Sequence, residues 1–206
     1  MKISTGFKSI DNHIGLLETK KMIMVAGRPG MGKTILLMNI GARSSINNRV
    51  LFLSLETSMK SLEKKFSSSN MTICDDGSIS LDRLKELIIE NKTELLIIDY
   101  IQLIADEYKK ALPELKKMAD ELDVCILISS QLRRELEYRE VTKRKPEIED
   151  VQRTFNEDQL KLIDNIIYIY RDNYYNKDSD TKSIEVWTNT GKADLSFGEK
   201  YGELLE

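Results

Sequence analysis

The 206-residue sequence predicts an α/β fold, with a mostly parallel central sheet flanked by helices and antiparallel strands at its C-terminal edge. Three observations carry that expectation. A glycine-rich motif, Gly27-Arg28-Pro29-Gly30-Met31-Gly32-Lys33-Thr34, stands between an apolar strand-like run and a helix-like run. Short aliphatic runs then alternate with amphipathic segments, as a parallel sheet with crossover helices requires. Near the C-terminus, Asn165–Tyr170 and Ser183–Trp187 read as strands, placed antiparallel at the sheet edge.

The motif fits G-x-x-x-x-G-K-[ST]. Met22–Ala26 before it is suited to a buried strand, and Ile35–Ile40 after it can continue as a helix. Glycines let the backbone turn tightly enough to aim N–H groups at phosphate oxygens, and the new helix adds its positive N-terminal end. Gly27, Arg28, Pro29, Gly30, Met31, Gly32, Lys33 and Thr34 are therefore the nucleotide-binding candidates. Lys33 would reach the outer phosphates and the Thr34 hydroxyl would ligate Mg²⁺. The four fixed positions recur by chance in about one chain of this length in a hundred. The alternative is a glycine-rich turn opening an ordinary helix; the strand–loop–helix context favours a nucleoside triphosphate.

The other elements follow in order. Val50–Leu55 reads as a buried strand ending at Glu56, Ser58 can cap a helix reaching about Phe66, and Met71–Cys74 is a short strand. Ser80 begins a helix with the apolar face Leu81, Leu84, Leu87 and Ile88. Leu95–Asp99 is a strand, a helix spans about Leu112 to Leu122, and Val124–Ser129 is another strand. No repeat, low-complexity tract or interior boundary divides the chain, so residues 1–206 are expected to form one domain.

An apolar fraction of 41% with evenly scattered charge fits a soluble globular protein, and no apolar run approaches the length of a membrane span. The N-terminus lacks an apolar signal-peptide core, so a cytoplasmic location is expected. Cys74 and Cys125 share no metal-ligand spacing and read as reduced core residues, and His13 is the only histidine. Zinc chemistry and a histidine dyad are therefore excluded from the expectations. The net charge of −3 does not by itself point to nucleic acid.

Ligands in such sheets sit at the carboxyl ends of the strands. Asp99 ends an aliphatic strand, where an aspartate can hold Mg²⁺ through a water opposite Thr34. Glu56 ends its own strand, where a carboxylate can orient and deprotonate the water attacking a γ-phosphorus. It could equally be a helix N-terminal charge that complements the dipole. Gln131 follows the strand Val124–Ser129, and its neutral amide can bond a γ-phosphate without repelling it.

Gly27–Thr34, Ser54-Leu55-Glu56, Ile97-Ile98-Asp99-Tyr100-Ile101-Gln102-Leu103 and Ser130-Gln131-Leu132-Arg133-Arg134 occur in this order at strand ends. Together they resemble the C-terminal ATPase domain of the bacterial replicative helicases, the DnaB family, a branch of the RecA-like P-loop NTPases. Asp-Tyr-Leu-Gln-Leu and Ser-Gln-Leu-Asn-Arg characterise that family, and each block here departs by one residue. Arg144-Lys145-Pro146 with Asp150, and Tyr170–Tyr175, look like two further blocks, so the resemblance runs from about Thr5 to Phe197. It implies a homo-oligomeric ring or filament, ATP between neighbouring subunits, and single-stranded DNA in a central channel. It also implies Lys33 and Thr34 on phosphate and Mg²⁺, Glu56 as catalytic base, Asp99 as the Walker B acid and Gln131 as γ-phosphate sensor. Arg134 would lie near the nucleotide or the adjoining subunit.

Several features depart from the family pattern. Only 43 positions separate Glu56 from Asp99, where the family carries additional helical structure, and the link after Leu103 is short. The family also follows its late strand with Lys-x-Arg-Asn-Gly, whereas this chain reads Val186-Trp187-Thr188-Asn189-Thr190-Gly191-Lys192. An arginine supplied in trans can raise phosphoryl-transfer rates by roughly 10³–10⁵, and Lys192 is only a point-charge substitute. The stretch Arg133–Lys145 holds six basic residues against three glutamates. It reads either as a DNA-phosphate surface or as a solvated, internally paired face. Tyr168, Tyr170, Tyr174 and Tyr175 are candidates for stacking on bases or adenine, or for the core. An ATP-driven DNA motor and a slow, non-translocating ATP-binding assembly module are both open at this point. A small-molecule kinase is disfavoured by the Ser-Gln-Leu block.

Overall fold

The computed structural model describes residues 1–55, 70–104, 108–140, 143–176, 179, 181–199 and 202–206. Glu56 and the expected helix from Ser58 lie outside the described residues. The strands are β1 (Lys2–Ile3), β2 (Leu17–Glu18), β3 (Met22–Gly27), β4 (Val50–Ser54), β5 (Met71–Cys74) and β6 (Leu95–Asp99). They continue with β7 (Cys125–Gln131), β8 (Asn165–Tyr170), β9 (Ser183–Trp187), β10 (Lys192–Phe197) and β11 (Leu204–Leu205). The helices are α1 (Lys8–His13), α2 (Lys33–Ser44), α3 (Leu81–Glu90), α4 (Tyr108–Leu122), α5 (Ile148–Gln152), α6 (Glu157–Leu160) and α7 (Asp172–Tyr175).

The main sheet has nine strands in the order β11-β10-β9-β8-β3-β7-β6-β4-β5. From β8 through β5 every pairing is parallel, and from β8 outward through β11 every pairing is antiparallel. The expected antiparallel edge is therefore real but starts one strand later, because β8 lies parallel to β3. It is also two strands longer, since β10 and β11 extend it. Buried on both faces, the central strands are continuous aliphatic runs, as a covered parallel sheet demands.

Alternate side chains of each strand feed two cores. Ile23, Val25, Phe52, Ile97 and Leu127 pack with Leu36, Leu37 and Ile40 of α2. Met24, Leu53, Leu96, Ile98 and Ile126 pack with Leu84 and Ile88 of α3 and Leu112 and Leu115 of α4. The helix α3 starts at Ser80, whose hydroxyl accepts the Arg83 amide at 3.1 Å and removes one unpaired donor. Among the described residues no helix is long and apolar enough to cross a membrane.

The chain ends converge on α2. The buried Asn39 side chain donates to the Gly202 carbonyl at 2.7 Å and accepts the Leu204 amide at 3.1 Å. Arg43 donates to the Leu204 and Gly6 carbonyls and covers the Phe7 ring. Both terminal segments thus hold the helix that follows the glycine-rich loop.

Cys125 is buried in β7, whereas Cys74 on the edge strand β5 is only half-buried, short of the core position expected for it. Burial pushes the Cys125 thiol up to about 12, so it carries almost no thiolate at pH 8. A disulfide-forming dye added to the native protein at pH 8 is expected to modify Cys74 promptly and Cys125 only after denaturation. Two equally fast thiols would contradict this packing.

Candidate nucleotide site

The glycine-rich loop leaves β3 at Gly27 and enters α2 at Lys33. Gly30 and Gly32 take φ of +78° and +96°, values that a side chain would strain. A Cβ on Gly30 would also sit 2.5 Å from the Tyr174 ring. Lys33 is nearly buried, and its ammonium donates to the Gly27 and Arg28 carbonyls at 3.0 Å each. The loop therefore curls around its own lysine. Two loop side chains turn away from that turn. Met31 is buried in the core, and the Arg28 guanidinium bonds Glu137 and the Leu132 carbonyl. At these two positions only the backbone is available to a phosphate. Pro29 is half-buried at the turn.

Asp99 closes β6, and β7 lies between β6 and β3. Thr34, the second residue of α2, reaches across that gap and donates to Asp99 Oδ2 at 2.6 Å. Ser129 of the intervening strand donates to Asp99 Oδ1. Asp99 itself is 1% exposed. A buried carboxylate needs such partners, and here both are hydroxyls. Hydroxyl and carboxylate oxygens brought together are the donors a hard cation such as Mg²⁺ takes.

Gln131 does not follow β7 but is its last residue, in register with Gly27. Its backbone is fixed by Gln102, which donates to the Gln131 carbonyl at 3.2 Å and the Ser130 hydroxyl at 2.9 Å. Arg134 opens a short 3₁₀ turn, Arg134–Tyr138. With Arg133, Gln102, Gln131, Tyr100 and Thr154, it lines an open cleft of about 490 Å³. β4 ends at Ser54 in register with Asp99, and the Leu55 amide donates to the Asp99 carbonyl at 2.8 Å. Glu56, next in sequence, lies outside the described residues.

The structure thus brings together the loop, Lys33, Thr34, Asp99 and the end of β7. Ser129 and Gln102 escaped the sequence reading, although Gln102 stands inside a block it had singled out and Ser129 ends the expected strand just before another.

The basic stretch is largely engaged. Arg139 forms a paired contact with buried Asp150, at 2.6 and 3.1 Å. Lys143 pairs with Glu140, Lys145 with Glu185, and Arg144 lies over the Tyr175 ring. Tyr168 and Tyr170 are buried, as core residues would be, whereas Tyr174 is 41% exposed.

Lys192 begins β10 and pairs with Glu185 at 2.8 Å and Asp194 at 3.4 Å. The turn before it lies against α1, so closely that a Cβ on Gly191 would overlap the His13 carbonyl.

Comparison with known proteins decides the family. The family model described as the DnaB-like helicase C-terminal domain matches residues 2–86 and 59–201. The chain belongs to this family. It is 27% identical over 230 residues to the replicative DNA helicase DnaB of Geobacillus stearothermophilus, covering 88% of this chain and 50% of that protein. The corresponding Pasteurella multocida protein is 29% identical, with 88% and 49% covered. The chain therefore spans about half the length of the curated relatives it matches. A solved DnaB-like replicative helicase, described together with its interactions with primase, superposes with a TM-score of 0.85 at 24% identity, covering 98% of this chain and 63% of that one. That superposition confirms a RecA-like fold. The two matched stretches of the family model overlap at 59–86.

Burial would raise the Glu185 carboxyl, but hydrogen bonds from Lys145 and Lys192 and their charges outweigh it and hold the pKa below the ordinary value. The stability it contributes is present above the unfolded pKa and lost as pH falls through the lower folded value. The melting temperature of Glu185→Gln should thus lie below that of the parent near neutrality, with the gap closing below about pH 4. A gap that persists in acid would contradict the pairing.

Proposed function

We propose that this chain is the ATP-binding and hydrolysing unit of a helicase-type motor that acts on single-stranded DNA and works as a homo-oligomer. The observation that carries the reading is the meeting of Thr34, Asp99 and Ser129 beside the loop that encloses Lys33. Residues 1–206 act in it as one ATPase domain.

The loop amides from Gly27 to Gly32 and the Lys33 ammonium hold the triphosphate, the amides through the turn and the lysine as a mobile positive charge. Thr34 and Asp99 hold Mg²⁺, which when bound neutralises charge on the phosphate oxygens. Glu56 accepts a proton from the water that attacks the γ-phosphorus as the bond to ADP breaks. Gln131 follows the γ-phosphate with its amide. The exposed Tyr174 ring, lying on Gly30, offers a face for adenine. Arg134 and Arg133 are the residues of the basic stretch left exposed beside the cleft, so DNA phosphate contact falls to them first.

A second reading, a slow non-translocating assembly module, has one observation in its favour. The segment Val186–Lys192 holds no arginine, and its Lys192 is held within its own chain by Glu185 and Asp194.

Affinity for a fluorescent ATP analogue separates the roles. Lys33→Ala should lose most of it, whereas Glu56→Gln should bind normally and turn over about 10²–10⁴-fold more slowly. Unchanged affinity in Lys33→Ala would overturn the site, and parental turnover in Glu56→Gln would remove Glu56 as base.

A further inference from the structure

The side chain of Arg28 leaves the glycine-rich loop for another segment through an ion pair. That side chain is 6% exposed, and its Nε and Nη2 donate to Glu137 Oε1 at 3.0 and 2.6 Å. Nη1 donates to the Leu132 carbonyl at 2.6 Å, and the Leu132 amide returns a bond to the Gly27 carbonyl at 3.2 Å. A charge this buried is tolerable only with a close counter-charge and filled donors, so loop and partner segment are obliged to move together.

The other end of the Arg28 residue is held as well. Its carbonyl accepts the Lys33 ammonium at 3.0 Å. A phosphate that draws the lysine toward itself must disturb that bond, and the disturbance passes through one residue to Glu137. Glu137 stands on the 3₁₀ turn Arg134–Tyr138, beside the buried anchor Leu136. The same turn carries Arg134 and follows directly on Arg133, the exposed arginines of the cleft.

We propose that Glu137 is a positioning residue that, through Arg28, couples the nucleotide loop to the arginine-bearing segment 132–139, so that each site senses occupancy of the other. The proposal rests on the reading of the loop as an ATP site. Coupling between sites needs a physical element that both bias, and the Arg28–Glu137 pair is such an element. Glu137 touches neither phosphate nor nucleic acid in this account. Its carboxylate acts by fixing where Arg28 and the turn sit.

The test is amide hydrogen exchange with and without Mg²⁺ and a non-hydrolysable ATP analogue, on the parent, Glu137→Gln and Glu135→Gln. Glu135 is an exposed carboxylate on the same turn and controls for local charge. Melting temperatures report folding, and Glu137→Asp, which keeps the charge but shortens the reach, serves if the glutamine variant is unfolded. In the parent, the analogue should slow exchange roughly threefold or more both at 27–34 and at 132–139. Glu137→Gln should keep the loop response and lose the one at 132–139, with Glu135→Gln matching the parent. A full response at 132–139 in Glu137→Gln, or a parent in which only the loop responds, overturns the coupling. A parent in which the loop itself does not respond removes the ATP site, and the coupling with it.

Discussion

The hydroxyl of Thr34 can meet Asp99 only because three parallel strands stand in the order β3-β7-β6 with their carboxyl ends on the same edge of the sheet. The loop grows from the first strand, the carboxylate from the third, and Ser129 on the middle strand fills the remaining bond to Asp99. Side chains on a strand alternate between faces, so a one-residue slip of β7 would exchange its core residues and remove Ser129 from the carboxylate. Deep burial of the strands penalises such a slip, with each aliphatic side chain worth about 1.5–3 kcal/mol when fully buried. The chemistry at the top of the sheet is therefore held by apolar packing below it.

A second constraint acts on α2. That helix supplies both Lys33 and Thr34, and its direction decides where its positive end points. Asn39 and Arg43 tie it to the chain ends, while Gly191 packs the far hairpin on α1. The antiparallel edge also draws Lys145 and Lys192 onto Glu185, which leaves Arg133 and Arg134 as the exposed cations of the 133–145 segment that line the cleft. Packing thus narrows a diffuse basic stretch to a small surface beside the nucleotide loop.

The central sheet was legible because buried parallel strands are unbroken aliphatic runs and the loop has a fixed spacing. Asp99 and Thr34 were legible for the same reason, each standing at a strand or helix boundary that the pattern marks. The short strands β1, β2 and β11 carry two residues each, too few for any periodicity to show. The strand that carries Gln131 was ended two residues early, at Ser129, because the polar Gln131 side chain resembles loop although its backbone completes the ladder with Gly27. Arg28 was counted among loop residues, and only the fold shows its side chain leaving for Glu137, 109 positions away. Local pattern carries no information on a pair so distant. The strand-end position and the family resemblance both pointed to Glu56 as base, and the described residues stop one short of it.

A DNA motor and a nucleotide-gated module differ first in whether ATP turnover answers to nucleic acid. Steady-state hydrolysis in Mg²⁺, with and without a single-stranded oligonucleotide over a range of salt, asks that question. A motor of the proposed kind should turn over several-fold faster with the oligonucleotide at low salt and lose the gain as salt displaces phosphate contacts. Measurable turnover that ignores the oligonucleotide at every salt concentration would contradict the motor and leave a nucleotide-gated module in its place.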